Sequence, residues 1–297
     1  MNRTPVAAAL LFLTAGLLAA VELPESIAMT CGDIRIRLDA RKRWNINRIE
    51  WKGQLVCIDA RGAHYGMTCR PEGSRYFIGS GHTESGKGEE VLSVKLFADG
   101  KEVVPGTEPI SGKTIGMEKR SKIHEFDVKY TFEIKDGILS EETEISAEKD
   151  VPLRQLYCSM HPWSTRFTDY FVVQEDGKTF GGAFLTDGKH RTRKFVPAIG
   201  WYDKKSRIVV ATVAEKPAFD KYLQRLLWDQ KVYRKDYICL VMYGVFPGGK
   251  PVACRVKTAF GRAQDPEKWT ADAEELFARL RRAFSSEKSP AGTAGNK

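Results

Sequence analysis

The stretch EFDVKYTFEIKDG, residues 125–137, decides the fold class. Apolar residues occupy every second position of its first part, and charged or polar residues fill the positions between them. A strand with this alternation covers a core on one face and meets water on the other. Asp136 and Gly137 then supply a tight turn, because glycine readily adopts the positive φ that two-residue hairpins need. The segment therefore predicts one arm of an antiparallel hairpin.

The same signals recur on both sides of this hairpin. Further Asp-Gly pairs at 99–100, 176–177 and 187–188 each lie beside an apolar or alternating segment, and each predicts a reversal of the chain. The runs RIVVATVA (207–214) and YICLVMYGVF (237–246) are almost continuously apolar, which is typical of central strands covered on both faces. Two-faced strands joined by hairpins predict an all-β protein built as an antiparallel sandwich.

One α-helix is predicted, over residues 271–284 near the C-terminal end. Thr270 precedes it as a cap, acidic residues fill its first turn, and arginines fill its last, in agreement with the helix dipole. A shorter helical segment is an alternative for residues 219–230. Residues 286–297 have the composition of a disordered tail.

The N-terminal residues predict a signal peptide, residues 1–20. A basic residue, Arg3, precedes a short apolar run that ends in small residues at Ala20. The alternative is a membrane anchor, but the run is short for a span and no basic cluster follows it. We therefore expect an exported protein, periplasmic or extracellular, without stable membrane insertion. Residues 21–285 contain no linker-like stretch and no fixed repeat, which predicts a single domain.

Charge and cysteine content limit the partners. The formal net charge is +9, which suits an acidic polysaccharide, an anionic membrane face or nucleic acid, and export disfavours nucleic acid. The six cysteines permit disulfides in an oxidising compartment, with buried free thiols as the alternative. The sequence has no CxxC or paired-histidine spacing, so it predicts neither a metal site nor a cofactor. It does not indicate an oligomeric state.

Residues able to do chemistry gather in two segments. In RYFIGSGHTESGKGEE (75–90), His82 and Glu84 lie in a glycine-rich loop. In LYCSMHPWSTRF (156–167), alternation places the apolar side chains on one face and His161 on the other, and Pro162 is expected to end the strand.

These side chains fit a carbohydrate cleft. A histidine and a carboxylate can transfer a proton near neutral pH, which assigns catalysis to His161, His82 and Glu84. An indole face stacks on a pyranose and an arginine fork binds carboxylates or sulfates, which assigns substrate binding to Trp163 and Arg166. Two further residues, Arg75 and Tyr157, are expected to bind substrate.

Three stretches, RYFIGSGHTE, EVLSVKLFADGKEV and GILSEETEISAEKDVPLRQLYCSMHPW, resemble the galactose mutarotase-like group of carbohydrate-active proteins. This group has a β-supersandwich fold and includes aldose epimerases and domains of polysaccharide lyases, and the resemblance covers about residues 30–262. It implies that His161, in a His-Pro-aromatic segment, is the acid and that His82 binds the sugar. After Trp163 the chain has Ser-Thr-Arg where aldose epimerases have Phe-Asn, and no catalytic glutamate is identified near the C-terminal strands.

Three functions follow from this reasoning. An epimerase would use His161 as the acid with an unidentified carboxylate as the base. A lyase would neutralise a uronate with Arg166 or Arg75, while a histidine and a tyrosine such as Tyr157 or Tyr76 move the protons. The non-enzymatic alternative is a sugar-binding or cell-surface module, and in each case the partner is a carbohydrate, with anionic polysaccharide as one class.

Overall fold

The computed structural model describes residues 23–58, 64–80, 82, 88–219 and 222–288. The predicted signal peptide, most of the predicted tail and Glu84 lie outside these residues. The strands are β1 Ser26–Cys31, β2 Ile34–Asp39, β3 Asn45–Trp51, β4 Gln54–Ile58, β5 Thr68–Pro71, β6 Glu90–Ala98, β7 Lys101–Val103, β8 Ile110–Ser111, β9 Thr114–Ile123, β10 Phe126–Lys135, β11 Ile138–Ser146, β12 Val151–Trp163, β13 Asp169–Val173, β14 Thr179–Ala183, β15 His190–Thr192, β16 Ala198–Asp203, β17 Ile208–Ala214, β18 Gln224–Asp229, β19 Arg234–Phe246 and β20 Val252–Arg262. The helix α1 spans Trp269–Lys288.

The strands form two ten-stranded sheets. The first sheet has the order β15-β18-β19-β12-β4-β3-β2-β1-β8, with β5 also pairing with β12. The second sheet has the order β14-β13-β16-β17-β20-β11-β10-β9-β6-β7. Neighbouring strands are antiparallel apart from the parallel pair β1 and β8. The predicted all-β antiparallel sandwich is confirmed.

The hairpin predicted first is present as β10, Asp136-Gly137 and β11. Both turn residues have positive φ, 49° at Asp136 and 68° at Gly137, as a type I′ turn requires. The pair at 99–100 joins β6 to β7, and the pair at 176–177 lies between β13 and β14. The pair at 187–188 does not close a hairpin, because it connects β14 of the second sheet to β15 of the first.

The alternating residues of β10 fill the space between the sheets. Phe132 and Ile134 are buried in one cluster with Ile36 and Ile49 of the first sheet. Each such side chain removed from water contributes about 1.5–3 kcal/mol. The alternation therefore fixes which face of β10 is inside.

Helix α1 packs on the outer face of the second sheet. Phe277 and Leu280 contact a cluster that includes Val209 and Ala211 of β17, which explains why this strand is buried along its whole length. The helix begins at Trp269, directly after a 3₁₀ turn capped by Asp265, so Thr270 lies within the helix and the predicted cap is wrong. It also continues past the predicted end into the segment predicted to be a tail.

The helical alternative for residues 219–230 is wrong, because residues Gln224–Asp229 form β18. Leu227 faces the core between the sheets and Leu226 packs on the opposite face, so the segment has an apolar side chain on each face. A short run with apolar side chains on both faces fits either structure by pattern, and pairing with β15 and β19 selects the strand.

All six cysteines are free and buried, as in the free-thiol alternative. Among the described residues, no helix combines the length and the apolar character needed to cross a bilayer.

Candidate functional site

A β-bulge in β12 determines which side chains reach the site. Tyr157 pairs with Cys239 and Ser159 pairs with the adjacent Ile238, so Cys158 is an extra residue on β12. An extra residue reverses the facing of every side chain that follows it. Beyond the bulge Met160 faces outward with Tyr157, and His161 faces inward, opposite to the prediction.

The outer face of the first sheet carries a pocket with a cavity volume of about 350 Å³. Strands β5, β12, β15, β18 and β19 and the segment after β5 contribute to it. Its side chains are mainly aromatic with a few polar groups, and they are Thr68, Phe77, His82, Gln155, Tyr157, Met160, His190, Trp228, Tyr233, Lys235 and Tyr237.

The aromatic rings of this aromatic pocket contact one another. Tyr157 lies between Phe77 and Tyr237, with ring centroids 6.0 Å and 4.7 Å away. Trp228 lies 6.1 Å from Tyr237, and its Nε1 donates a 2.7 Å hydrogen bond to the Gly188 carbonyl, which fixes the indole. The rings are therefore held in place before any ligand enters.

The polar groups of the pocket are placed around these rings. The Lys235 ammonium lies 4.9 Å from the ring centroid of Tyr237, which is a cation–π distance. His190 stacks on Trp228 with the centroids 5.4 Å apart, and burial, aided by Arg193, lowers the pKa of His190. Gln155 Nε2 donates a 2.9 Å hydrogen bond to the Tyr157 hydroxyl.

His82 is the predicted histidine that reaches the pocket. Its ring lies 4.1 Å from the ring of His64 and 5.4 Å from that of Phe77, between ring centroids. Its backbone forms an isolated bridge with Gly79. Glu84, its predicted carboxylate partner, is outside the described residues.

His161 lies between the two sheets and is 1% exposed. Its Nε2 is 2.9 Å from Oε2 of Glu141, and its Nδ1 is 4.0 Å from Oδ2 of Asp236. Burial lowers the pKa of His161, but these two carboxylates outweigh burial and raise the pKa to about 9. The imidazole is therefore a buried cation at neutral pH, with almost none of its surface open to solvent.

The carboxylates around His161 have other partners as well. Tyr65 and Tyr130 each donate a 2.8 Å hydrogen bond to Oε1 of Glu141. Asp236 accepts two hydrogen bonds, of 3.0 Å and 2.7 Å, from the guanidinium of Arg225. Burial raises the pKa of Asp236, but Arg225 and His161 outweigh it and lower the pKa to about 2. The result is a buried network with balanced charge that joins the two sheets.

Comparison with known proteins rests on structure. No family model matches the sequence, and no curated protein matches it. The Slr1438 protein from Synechocystis sp. PCC 6803 superposes with a TM-score of 0.50 at 9% identity, over 83% of this chain and 99% of that one. A galactose mutarotase-like protein from Lactobacillus casei ATCC 334 gives a TM-score of 0.50 at 8% identity, over 80% of this chain and 100% of that one.

This chain has the galactose mutarotase-like fold. A beta-arabinopyranosidase also superposes, with a TM-score of 0.50 at 7% identity, and there the match covers 81% of this chain and 40% of the other. At such identities the likeness establishes the mutarotase-like fold, and the site is assigned from its own geometry.

Within this mutarotase-like fold the two predicted histidines, His82 and His161, do not line the same pocket. His82 lines the aromatic pocket on the outer face of the first sheet, whereas His161 lies on its inner face. The prediction that both histidines belong to one carbohydrate cleft is wrong, because the bulge at Cys158 turns His161 into the core.

Two of the predicted substrate-binding residues are structural. Trp163 is 0% exposed and packs 5.3 Å from Trp201, so its indole face is not available to a sugar. Pro162 does not end β12, which continues to Trp163. Arg166 Nε donates a 2.6 Å hydrogen bond to Asp203, and its NH1 donates one of 3.1 Å to the Leu55 carbonyl, away from the pocket.

Of the two remaining residues predicted to bind substrate, Tyr157 lies in the aromatic pocket and Arg75 does not. Tyr157 lines the aromatic pocket, and burial raises the pKa of its hydroxyl, which therefore stays protonated at neutral pH. Arg75 is exposed in the segment after β5 and is not one of the pocket residues.

Sequence reasoning missed the side chains that β18, β19 and the turn between them supply. Tyr233, Lys235 and Tyr237 occupy every second position and face the pocket together. That alternation is readable in the sequence. The alternation was not recognised because a continuous apolar run begins at Tyr237, and such a run is typical of a strand covered on both faces.

Proposed function

We propose that this protein binds carbohydrate in the aromatic pocket. The observation that carries the proposal is the set of interlocked rings around a cavity of about 350 Å³, a volume within the range of about 300–1,000 Å³ usual for ligand sites. Aromatic faces stack on the apolar C–H faces of sugar rings. Hydroxyl groups of a sugar find donors and acceptors at Gln155, His190 and Thr68. The mutarotase-like fold supports a carbohydrate role as an analogy.

Binding is tested with a panel of neutral and acidic oligosaccharides measured by calorimetry. Trp228→Ala removes the ring on which His190 stacks, and truncation of a central binding tryptophan costs about 2 kcal/mol or more, which is about thirtyfold in affinity. Trp51→Ala is the matched control, because Trp51 is also partly exposed but packs against the core of the sandwich. A wild-type chain that binds no saccharide, or an equal affinity in Trp228→Ala, would contradict the proposal.

A second candidate is an enzyme that moves a proton on the bound sugar. It is favoured by His82 and His190 in the pocket, because the lowered pKa of His190 leaves it neutral and able to accept a proton at neutral pH. Epimerase activity is followed by the optical rotation of a fresh aldose, and lyase activity by ultraviolet absorbance of unsaturated ends. His82→Gln and His190→Gln should each lose turnover while most of the affinity is retained, because the aromatic rings remain and glutamine can still form hydrogen bonds. Absence of turnover in the wild type leaves the binding module as the function.

Export is part of the proposed function, since the predicted signal peptide would place the pocket where polysaccharide is met. A fusion of residues 1–30 to a reporter that is active only outside the cytoplasm tests this. Reporter activity that persists after Leu11 and Leu13 are replaced by arginine would contradict a secretory signal.

A further inference from the structure

A strained and exposed tyrosine lies beside the aromatic pocket. Tyr243 of β19 has φ of 53° and is 67% exposed. A bulky residue in the left-handed region is an outlier, and such strain is concentrated at functional positions. The guanidinium of Arg154, on the neighbouring strand β12, lies 5.5 Å from the ring centroid of Tyr243.

The backbone of β12 presents Arg154 on the same face as the pocket. Leu153 and Leu156 both pack into the core, although they are three positions apart. The two residues between them, Arg154 and Gln155, therefore both face outward, and the pairing of β12 with β5 shifts register at this point. Gln155 lines the aromatic pocket, so Arg154 borders it directly.

A second arginine borders the pocket from β5. The guanidinium of Arg70 lies 5.8 Å from the ring centroid of Phe77, which lines the pocket, and its Nε donates a 3.0 Å hydrogen bond to the Ser74 carbonyl. The charge of Arg70 is also a minor opposing influence on the raised pKa of Tyr157 and a minor cause of the lowered pKa of Tyr243, so Arg70 lies within electrostatic range of both tyrosines. Among the described residues, no carboxylate forms an ion pair with Arg70 or Arg154.

The guanidinium groups of Arg70 and Arg154 attract anions, because no described carboxylate pairs with them. Arginine binds carboxylate and sulfate groups through paired hydrogen bonds, and an adjacent ring provides a stacking surface for a sugar. Lys235 adds a third cation within the pocket itself. The chain as a whole carries a formal net charge of +9, which favours approach of an anionic ligand.

We propose that Arg70, Arg154 and Tyr243 form an anion-binding subsite next to the aromatic pocket. The ligand is then an acidic oligosaccharide, with one sugar in the pocket and a carboxylate or sulfate group of the next sugar at the two arginines. This inference rests on the proposed function, because it needs a saccharide in the pocket.

The test compares three probes on the full chain by calorimetry. The probes are oligogalacturonate, a sulfated galactan oligosaccharide and a neutral galacto-oligosaccharide of the same length. The double variant Arg70→Gln with Arg154→Gln should lose about tenfold or more in affinity for the charged probe that the wild type prefers, with a weaker salt dependence, and should bind the neutral probe as the wild type does. The control is Arg37→Gln with Arg120→Gln, which removes two charges elsewhere and should change neither affinity.

Tyr243→Gly distinguishes the contribution of the tyrosine ring to binding from that of the backbone conformation. Glycine adopts a φ near 53° without steric strain, so the fold is retained while the stacking surface is removed. Affinity for the acidic probe should fall.

The outcomes distinguish the two proposals. Preference for the carboxylated or the sulfated probe identifies the anion, and either supports the subsite. Equal wild-type affinity for acidic and neutral probes, or unchanged acidic affinity in the double variant, overturns the subsite, while dependence on Trp228 keeps the proposed function. If the wild type binds none of the three probes but binds another saccharide of the panel, the subsite is overturned and the proposed function stands. If it binds no saccharide at all, both proposals fail.

Discussion

Replacing His161 with glutamine should destabilise the protein in a pH-dependent way. The imidazole is enclosed between Glu141 and Asp236 and carries the positive charge that balances them together with Arg225. Glutamine preserves most of the volume and can still donate one hydrogen bond, but it removes the charge. The variant therefore measures the ion pairing of His161 more than its packing.

The magnitude follows from the pKa of His161. The pKa is about 9 in the folded chain and ordinarily 6.5, and one unit corresponds to about 1.4 kcal/mol, so the maximum contribution is about 3 kcal/mol. Because folding raises this pKa, the stabilisation is fully present below pH 6.5 and is lost as the pH rises through 9. The difference between the wild type and His161→Gln should be about 3 kcal/mol near pH 6 and about 1 kcal/mol near pH 8.5.

The assay is urea unfolding followed by tryptophan fluorescence at several pH values between 6 and 8.5. Taking the difference between the two proteins cancels the titration of other groups, such as the buried thiols. His124→Gln is the control, because His124 is exposed at the surface 3.8 Å from Glu125, where an ion pair contributes at most about 1 kcal/mol, so its effect on stability should be small at every pH. Parallel curves for His161→Gln and the wild type would refute the assignment of a buried imidazolium.

Three further outcomes are expected. Lys119→Met should destabilise by about 3–5 kcal/mol in urea unfolding, because it leaves the carboxylate of Glu89, which lies 2.6 Å from the lysine, buried without its cation. Phe277→Ala should cost about 3–5 kcal/mol and loosen α1 from the second sheet, which protection of α1 amides against hydrogen exchange would report. A thiol reagent should react slowly with the native chain, because all six cysteines are buried, and should react with all six after unfolding, because all are free. Fewer than six reactive thiols in the unfolded chain would indicate disulfides.

The fold could be predicted because its signals are local. The alternation of β10 and the Asp136-Gly137 turn need no distant information, and they specify both the inner face and the reversal. The charge distribution of α1 likewise identifies a helix. The position at which α1 starts depends on the preceding 3₁₀ turn, Pro266–Lys268, which is capped by Asp265. Two of the residues predicted for the site, His82 and Tyr157, line the aromatic pocket that we propose as the site.

The facing of His161 could not be predicted, because it depends on which residues of β19 pair with β12. Nothing near Cys158 marks it as an extra residue, and the bulge becomes visible only when Tyr157 and Ser159 are seen to pair with consecutive residues of β19. One extra residue exchanges the two faces of β12 beyond it, so Met160 takes the outward position that alternation assigns to His161.

The bulge is tolerated because the interior supplies partners for the charge that it buries. An isolated imidazolium between two sheets would lose its proton, since burial by itself lowers the pKa of His161. Glu141 comes from β11 of the second sheet and Asp236 from β19 of the first, and Arg225 of β18 balances the second carboxylate. A sequence pattern assigns such charged residues to the solvent face. It cannot show that they pair with one another inside the protein, because the partners lie on separate strands. The bulge that turns His161 away from the outer face of the first sheet therefore also places it in the buried ion network that joins the two sheets. The aromatic pocket depends on the same bulge for the outward position of Met160.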